Sequence, residues 1–291
     1  MKFIPFILLL VLSCTPKPTI QINEEVGDTL ATQNITVIAY QDSLHHLPFT
    51  PHSSLHALEI FRDQVDKHDL NANDKIFQEY LYYQVILIDS LYNQLVKRPD
   101  HEKIESLIWA DESLHDPVGL QYERELNQYG LILKSTEGFI YISRSTQPLR
   151  TFFYDHLSSA TQEFFDQFEA ETMQDLSEDG MLLITPVELA QRLAFWEEFL
   201  TKYPEHLFAQ FARNNVTDYQ YYLLEGMDNT PAFDFETNKI QPEFLEAYTF
   251  LNQHYPTLIC THVCNQYLAL LKQSDYKRTE EVSRFIEQHR K

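Results

Sequence analysis

Six glycines in 291 residues, well separated along the chain, constrain what it can fold into more than any motif it carries. They stand at Gly27, Gly119, Gly130, Gly138, Gly180 and Gly226. A phosphate-cradling loop needs several glycines within about six to eight residues, because backbone N–H groups approach phosphate only where no Cβ intervenes. Rossmann and P-loop folds are therefore excluded. What remains has much to bury: 44% of the residues are hydrophobic and 13% aromatic, enough for one large domain or two modest ones.

The apolar residues recur mainly at helical spacing. From Asn73 to Val96, Phe77, Leu81, Ile88, Leu91 and Leu95 form a stripe that Tyr80, Tyr83, Ile86 and Leu87 widen, so this helix is expected to be buried on most sides. Pro99 ends it. One or two helices should follow between His101 and Tyr129, turning Ile104, Leu107, Ile108 and Trp109 inward. Phe152 and Phe153 precede another, from about Ser159 to Asp175, carrying Phe164, Phe165 and Phe168.

The densest local logic lies in Thr185 to Asn238. Thr185-Pro186-Val187-Glu188 can form a capping box, with Pro186 in the first turn where no donor is needed. That helix runs through Leu189, Leu193, Trp196, Phe199 and Leu200 and stops before Pro204. A second, from about Pro204 to Leu224, should fold back on it as an antiparallel hairpin. Further helices are expected at Pro242 to Tyr255, Leu258 to Leu271 and Thr279 to His289.

Two stretches break the helical period. Ile35 to Tyr40 (ITVIAY) is rich in β-branched residues and reads as a strand, and Gly130 to Ser143 alternates on either side of STEG as a β-hairpin does. The expected fold is mainly α, a multi-helix domain of packed helical hairpins with a small antiparallel β-hairpin or three-stranded sheet. It occupies residues 35–291 as a single domain, with any internal boundary near 130–146.

Phe199-Leu200-Thr201-Lys202-Tyr203-Pro204 resembles the helix ends of tetratricopeptide-like bacterial lipoproteins, and Phe250-Leu251 with Tyr255-Pro256 echoes it about 51 residues later. The family's period of about 34 residues and its Trp, Leu-Gly and Tyr set are absent. Tyr203-Pro204 through Asp228-Asn229-Thr230-Pro231-Ala232-Phe233-Asp234 is loosely similar to uncharacterised secreted bacterial lipoproteins, which implies no activity.

The first residues, MKFIPFILLLVLSC, place one lysine before an apolar run that is too short to span a bilayer, for which about 20 residues are needed. This is the pattern of an export signal. Val11-Leu12-Ser13-Cys14 resembles the lipobox of bacterial lipoproteins. The resemblance implies that residues 1–13 are a signal peptide and that Cys14 becomes the acylated first residue, holding the protein to a membrane through lipid such as palmitate. Thr15, in place of Asp, implies no retention at the inner membrane if the cell is Gram-negative. Residues 14–34, with two prolines and no hydrophobic period, read as a tether.

Formal net charge is −21, from 43 acidic and 22 basic residues. Residues 151–191 and 214–238 contain no lysine or arginine at all. Such a surface repels nucleic acid and serves either solubility or attraction of a cationic partner.

Three clusters are candidate sites. His45, His46, His52 and His56 crowd one link, with His52 and His56 one helical turn apart, but zinc requires three or four converging ligands. Asp228, Asp234 and Glu236, with Asn229 and Asn238, supply oxygen ligands of the kind calcium takes; they also supply what turns require. Cys260 and Cys264 stand one turn apart on a helix, which suits buried thiols better than a disulfide or a metal site shared with His262. No Gly-x-Ser-x-Gly elbow or local nucleophile and base set is present, and no cofactor is expected. The residues favour an exported, membrane-anchored binding or scaffold protein with a protein or peptide partner. The alternative is an envelope hydrolase or metal-dependent enzyme using the acidic or histidine clusters.

Overall fold

The computed structural model describes residues 27–65, 69–109, 112–136 and 138–290. The expected signal segment, Cys14 and the tether as far as residue 26 lie outside the described residues. The first helix, α1 (Gly27–His45), covers ITVIAY, so the strand expected there is helix, and among the described residues no third strand joins the hairpin. Spacing explains the outcome. Val37, Tyr40 and Leu44 stand at i, i+3 and i+7, one side of a helix, where Tyr40 and Leu44 are buried and Val37 packs on the core. Burying that stripe outweighs the context-dependent strand preference of β-branched residues. The Tyr40 hydroxyl donates to the Ala57 carbonyl at 3.1 Å.

Next come α2 (His52–Gln64) and α3 (Leu70–Leu95), the latter capped by the Asp69 carboxylate on the Ala72 N–H at 3.0 Å. A short α4 (His101–Glu105) passes through a 3₁₀ turn to α5 (Pro117–Gln128), capped by Asp116. Ile104 is buried and Leu107 and Ile108 pack on the core, but Trp109 is 56% exposed rather than turned inward. The 3₁₀ turn ends at Trp109, where the backbone becomes extended and carries the indole off the inner face.

β1 (Leu131–Thr136) and β2 (Phe139–Arg144) pair antiparallel from Leu131 opposite Arg144 to Thr136 opposite Phe139, so pairing continues into the STEG segment. The chain then returns to helix in α6 (Thr146–Phe153) and α7 (Ser159–Met173). A two-rung hairpin, β3 (Ser177–Glu178) and β4 (Met181–Leu182), leads to α8 (Pro186–Lys202). The Thr185 Oγ1 accepts from the Glu188 N–H at 3.1 Å and Glu188 Oε2 from the Thr185 N–H at 2.8 Å, completing the capping box. Residues Tyr203 to Phe208 turn the chain back, so α9 (Ala209–Glu225) begins later than Pro204 and packs along α8.

A second two-rung hairpin, β5 (Gly226–Met227) and β6 (Thr230–Pro231), precedes α10 (Pro242–His254), α11 (Ile259–Gln273) and α12 (Glu280–Gln288). The described residues thus form twelve α-helices and three small hairpins, a mainly α fold. Among them no helix is long and apolar enough to cross a membrane. Helix α8 is the hub, touching α9, α10 and α11. Its Glu197, almost wholly buried, accepts from the first N–H groups of α11, those of Ile259 and, at 2.8 Å, Cys260. One continuous core runs from Tyr40 to Ile286.

Gly226 shows how tightly the second hairpin joins α9. Its φ is +78°, and a Cβ there would lie 2.3 Å from the Ala232 nitrogen and 2.4 Å from the Thr230 oxygen. Both atoms are backbone and cannot move aside. Gly226→Ala is therefore expected to destabilise the protein by at least about 1–3 kcal/mol, and Phe164→Ala, in the aromatic core, by about 3–5 kcal/mol. Urea denaturation measures both; near-wild-type midpoints would contradict the packing described.

Candidate functional site

The two stretches that lack lysine and arginine meet in space. Each contains one of the two-rung hairpins, and these dock tip to tip: the Asn229 N–H donates to the Gly180 carbonyl at 2.8 Å, the Asn229 side chain to the Asp179 carbonyl, and the Leu182 N–H to Thr230 Oγ1 at 3.0 Å. The first tip is Asp179-Gly180, both residues at positive φ (48° and 67°), which is the conformation a two-residue hairpin of this twist requires. Gly180 also lies close against the second tip, where a Cβ would stand 3.2 Å from that of Asp228. Glu178, Asp179, Met181 and Asn229 line a shallow open depression at this junction, with Met181 exposed. Glu178, Asp179 and Asp228 make no ion pair among the described residues. Other acidic side chains of the same stretches are neutralised by cations from outside: Asp175 by Lys134 at 2.8 Å, Asp166 by Arg150 at 2.7 Å, and Glu163 by Lys202 at 2.5 Å.

The expected cation ligands do not converge. Asp228 sits at the hairpin junction, whereas Asp234 closes a turn, accepting from the Thr237 N–H at 2.8 Å and hydroxyl at 2.7 Å, which hold its carboxyl below the usual range. Glu236 is exposed beyond it. Asn238, at φ 57°, exchanges bonds with the Arg278 backbone and ties the loop to the start of α12. The turn requirement, and not a ligand set, explains this composition.

The histidines are likewise dispersed. His45 and His46 end α1 and its link, both exposed, and His46 Nδ1 lies 2.6 Å from the Asp42 carbonyl. His52 and His56 share a face, as expected, with rings 5.7 Å apart, and Tyr129 meets His52 edge-on at 5.4 Å. Among the described residues no group of three or more His, Cys, Asp or Glu is placed to hold a metal ion. Cys260 and Cys264 are free, buried thiols. Burial, then Glu197, pushes Cys260 up; burial pushes Cys264 up to about 12.

A polar cluster that distance along the chain concealed joins Asp74, Ser158, Thr161 and His206. Buried Asp74 accepts from the Ser158 N–H at 2.9 Å and its hydroxyl at 2.5 Å. His206 Nδ1 accepts from the Phe208 N–H at 3.4 Å, which assigns its proton to Nε2, 3.1 Å from Thr161 Oγ1. The imidazole therefore stands on threonine while the serine proton goes to aspartate, an arrangement that caps α7 and keeps the imidazole off Ser158. A second cluster centres on Glu171, whose carboxylate accepts from Trp196 Nε1 at 2.9 Å, the Tyr219 hydroxyl at 2.6 Å and Gln167 at 2.6 Å. Burial and then Glu171 raise the Tyr219 pKa. Both clusters join helices.

In comparisons with protein families, curated proteins and solved structures, nothing matches this chain.

Burial, opposed by Asp74, lowers the folded-state pKa of His206 below its ordinary value of 6.5. Between those two values the unfolded chain binds the proton more readily, so stability falls as pH drops through this window and is complete above about pH 6.5. His206→Gln should flatten that dependence in urea titrations at stepped pH; an unchanged slope would show that other groups govern it.

Proposed function

We propose that the protein is an exported, lipid-anchored binding protein of the cell envelope that takes a basic protein or peptide segment at its paired hairpin tips. The observation that carries the binding role is the meeting of the two cation-free stretches. Glu178, Asp179 and Asp228 lie there without cationic partners, beside exposed Met181. Uncompensated carboxylates on one surface attract cationic partners over about a Debye length and raise the rate of encounter. The exposed thioether adds adaptable apolar contact for the stem of a lysine or arginine.

The anchor rests on the resemblance of Val11-Leu12-Ser13-Cys14 to a lipobox. Two or more acyl chains on Cys14 hold a protein stably at a membrane surface without a spanning helix. A short tether would leave the hairpin tips free to meet partners in the surrounding space.

A fluorescent peptide rich in lysine and arginine tests the site by anisotropy with the full-length protein. Combined Glu178→Gln, Asp179→Asn and Asp228→Asn should weaken binding about tenfold at low salt, each exposed pair contributing roughly 0.2–1 kcal/mol. Asparagine also tolerates the positive φ at position 179. Equal affinity of wild type and variant at matched melting temperature would overturn the assignment. Separately, Cys14→Ala should move the protein from the membrane fraction to the soluble fraction after cell lysis. Retention of a processed variant on membranes would refute the lipid anchor.

A further inference from the structure

We propose that Arg144 anchors a binding site for a small apolar monocarboxylate between the β1–β2 hairpin, α3 and α7. Side chains on a strand alternate between faces, and Arg144 falls on the same face of β2 as Ile140 and Ile142, which are 4% and 3% exposed. Directly opposite in the ladder is Leu131, fully buried. An arginine thus occupies an inward position of an otherwise apolar face. Its guanidinium lies 5.8 Å from the ring centre of Phe168 on α7, and Tyr80 on α3 is the ionisable neighbour that acts on it.

No carboxylate or carbonyl accepts from the Arg144 side chain among the described residues. Arg62, Arg98, Arg150, Arg278 and Arg290 each pair with a carboxylate, and buried Arg192 donates to the Gln174 carbonyl at 2.9 Å. In a chain with 43 acidic residues, a carboxylate at this position would be easily supplied. Enclosed cations are ordinarily paired because leaving one unpaired is costly.

The polar network to which its neighbour Tyr80 belongs is incompletely used. Tyr80 is buried, and its hydroxyl accepts from Gln84 Nε2 at 2.8 Å beside a bond with the Ser54 side chain. Gln84 also donates to Ser54 Oγ at 2.9 Å, while its own Oε1 is buried without a partner. Arg144 retains partial exposure, which gives a ligand access. One guanidinium balances one carboxylate, whereas a phosphate monoester near its second charge would leave excess negative charge among apolar walls. Leu131, Ile140, Ile142 and Phe168 favour an apolar substituent on that carboxylate.

Thermal denaturation of the full-length protein with sodium hexanoate tests this, with hexanol and inorganic phosphate as controls. Hexanoate alone should raise the wild-type Tm, by about 2–4 °C at roughly fivefold its Kd and further with the logarithm of its concentration. Arg144→Leu should melt at or above the wild-type temperature without ligand, since it removes an unpaired cation, and should show no hexanoate shift. Arg144→Gln, which keeps a polar side chain, should also show none. The proposal is overturned if hexanoate leaves wild type unmoved, if both variants shift as wild type does, or if hexanol or phosphate shifts wild type as much as hexanoate.

Discussion

The ring of Phe164 lies flat on that of Phe208, 3.8 Å between centres and 5° between planes, and the arrangement of the helices depends on what surrounds this pair. Phe164 belongs to α7 and Phe208 to the link that turns α8 back into α9. Trp196 of α8 at 5.9 Å and Phe211 of α9 at 5.3 Å enclose Phe164 from one side. Phe77 of α3 reaches Phe208 at 5.9 Å and passes the contact on to Phe153 of α6, which meets Phe61 of α2 at 4.0 Å. Aromatic rings bury large areas with few rotatable bonds. A chain of them therefore ties six helices and one link together at modest entropic cost.

Carboxylates then specify how the helices meet. Asp74 of α3 caps α7, Glu197 of α8 caps α11, and Glu171 of α7 receives donors from α8 and α9. Each is an acceptor with several lone-pair sites that collects donors from elements far apart in sequence. Charge-assisted bonds of this type are stronger than neutral ones, and a helix N-terminus favours an anion further. Part of the acidic excess is thus interior architecture, and only the remainder is free to act on the surroundings.

Much of this was legible in the chain. Helices with a sustained apolar stripe and a cap, such as α3 and α8, fall close to their expected bounds because local and tertiary preferences agree. ITVIAY was misleading because strand preference competes with a sparse helical stripe, and only the presence of α2 and α3 decides between them. Trp109 escapes the core through a 3₁₀ turn whose period no helical template follows. Asp179-Gly180 carried a hairpin signal, yet strands of two residues offer no alternation to read. The contacts of Asp74 with Ser158 and of Glu197 with Cys260 span 84 and 63 positions, so spacing rules of one or two turns could not join them. Arg144 was visible as the third member of an Ile140, Ile142 alternation, but its lack of a partner is a property of the folded molecule.

The same distinction separates solubilising charge from charge that can select a partner. Carboxylates paired with Lys134, Arg150 or Lys202 present little net field beyond a few ångströms, since each ion pair is a short dipole screened by solvent. Those at the hairpin tips are positioned by backbone turns instead of by cations: positive φ at Asp179 and Gly180, and the Asn229 bonds that lock one tip to the other. Their spacing is consequently held without neutralising them. The proposed attraction of a cationic segment therefore rests on turn geometry, and Asn229→Ala, which removes the side-chain bond between the tips, bears on it as directly as loss of a carboxylate.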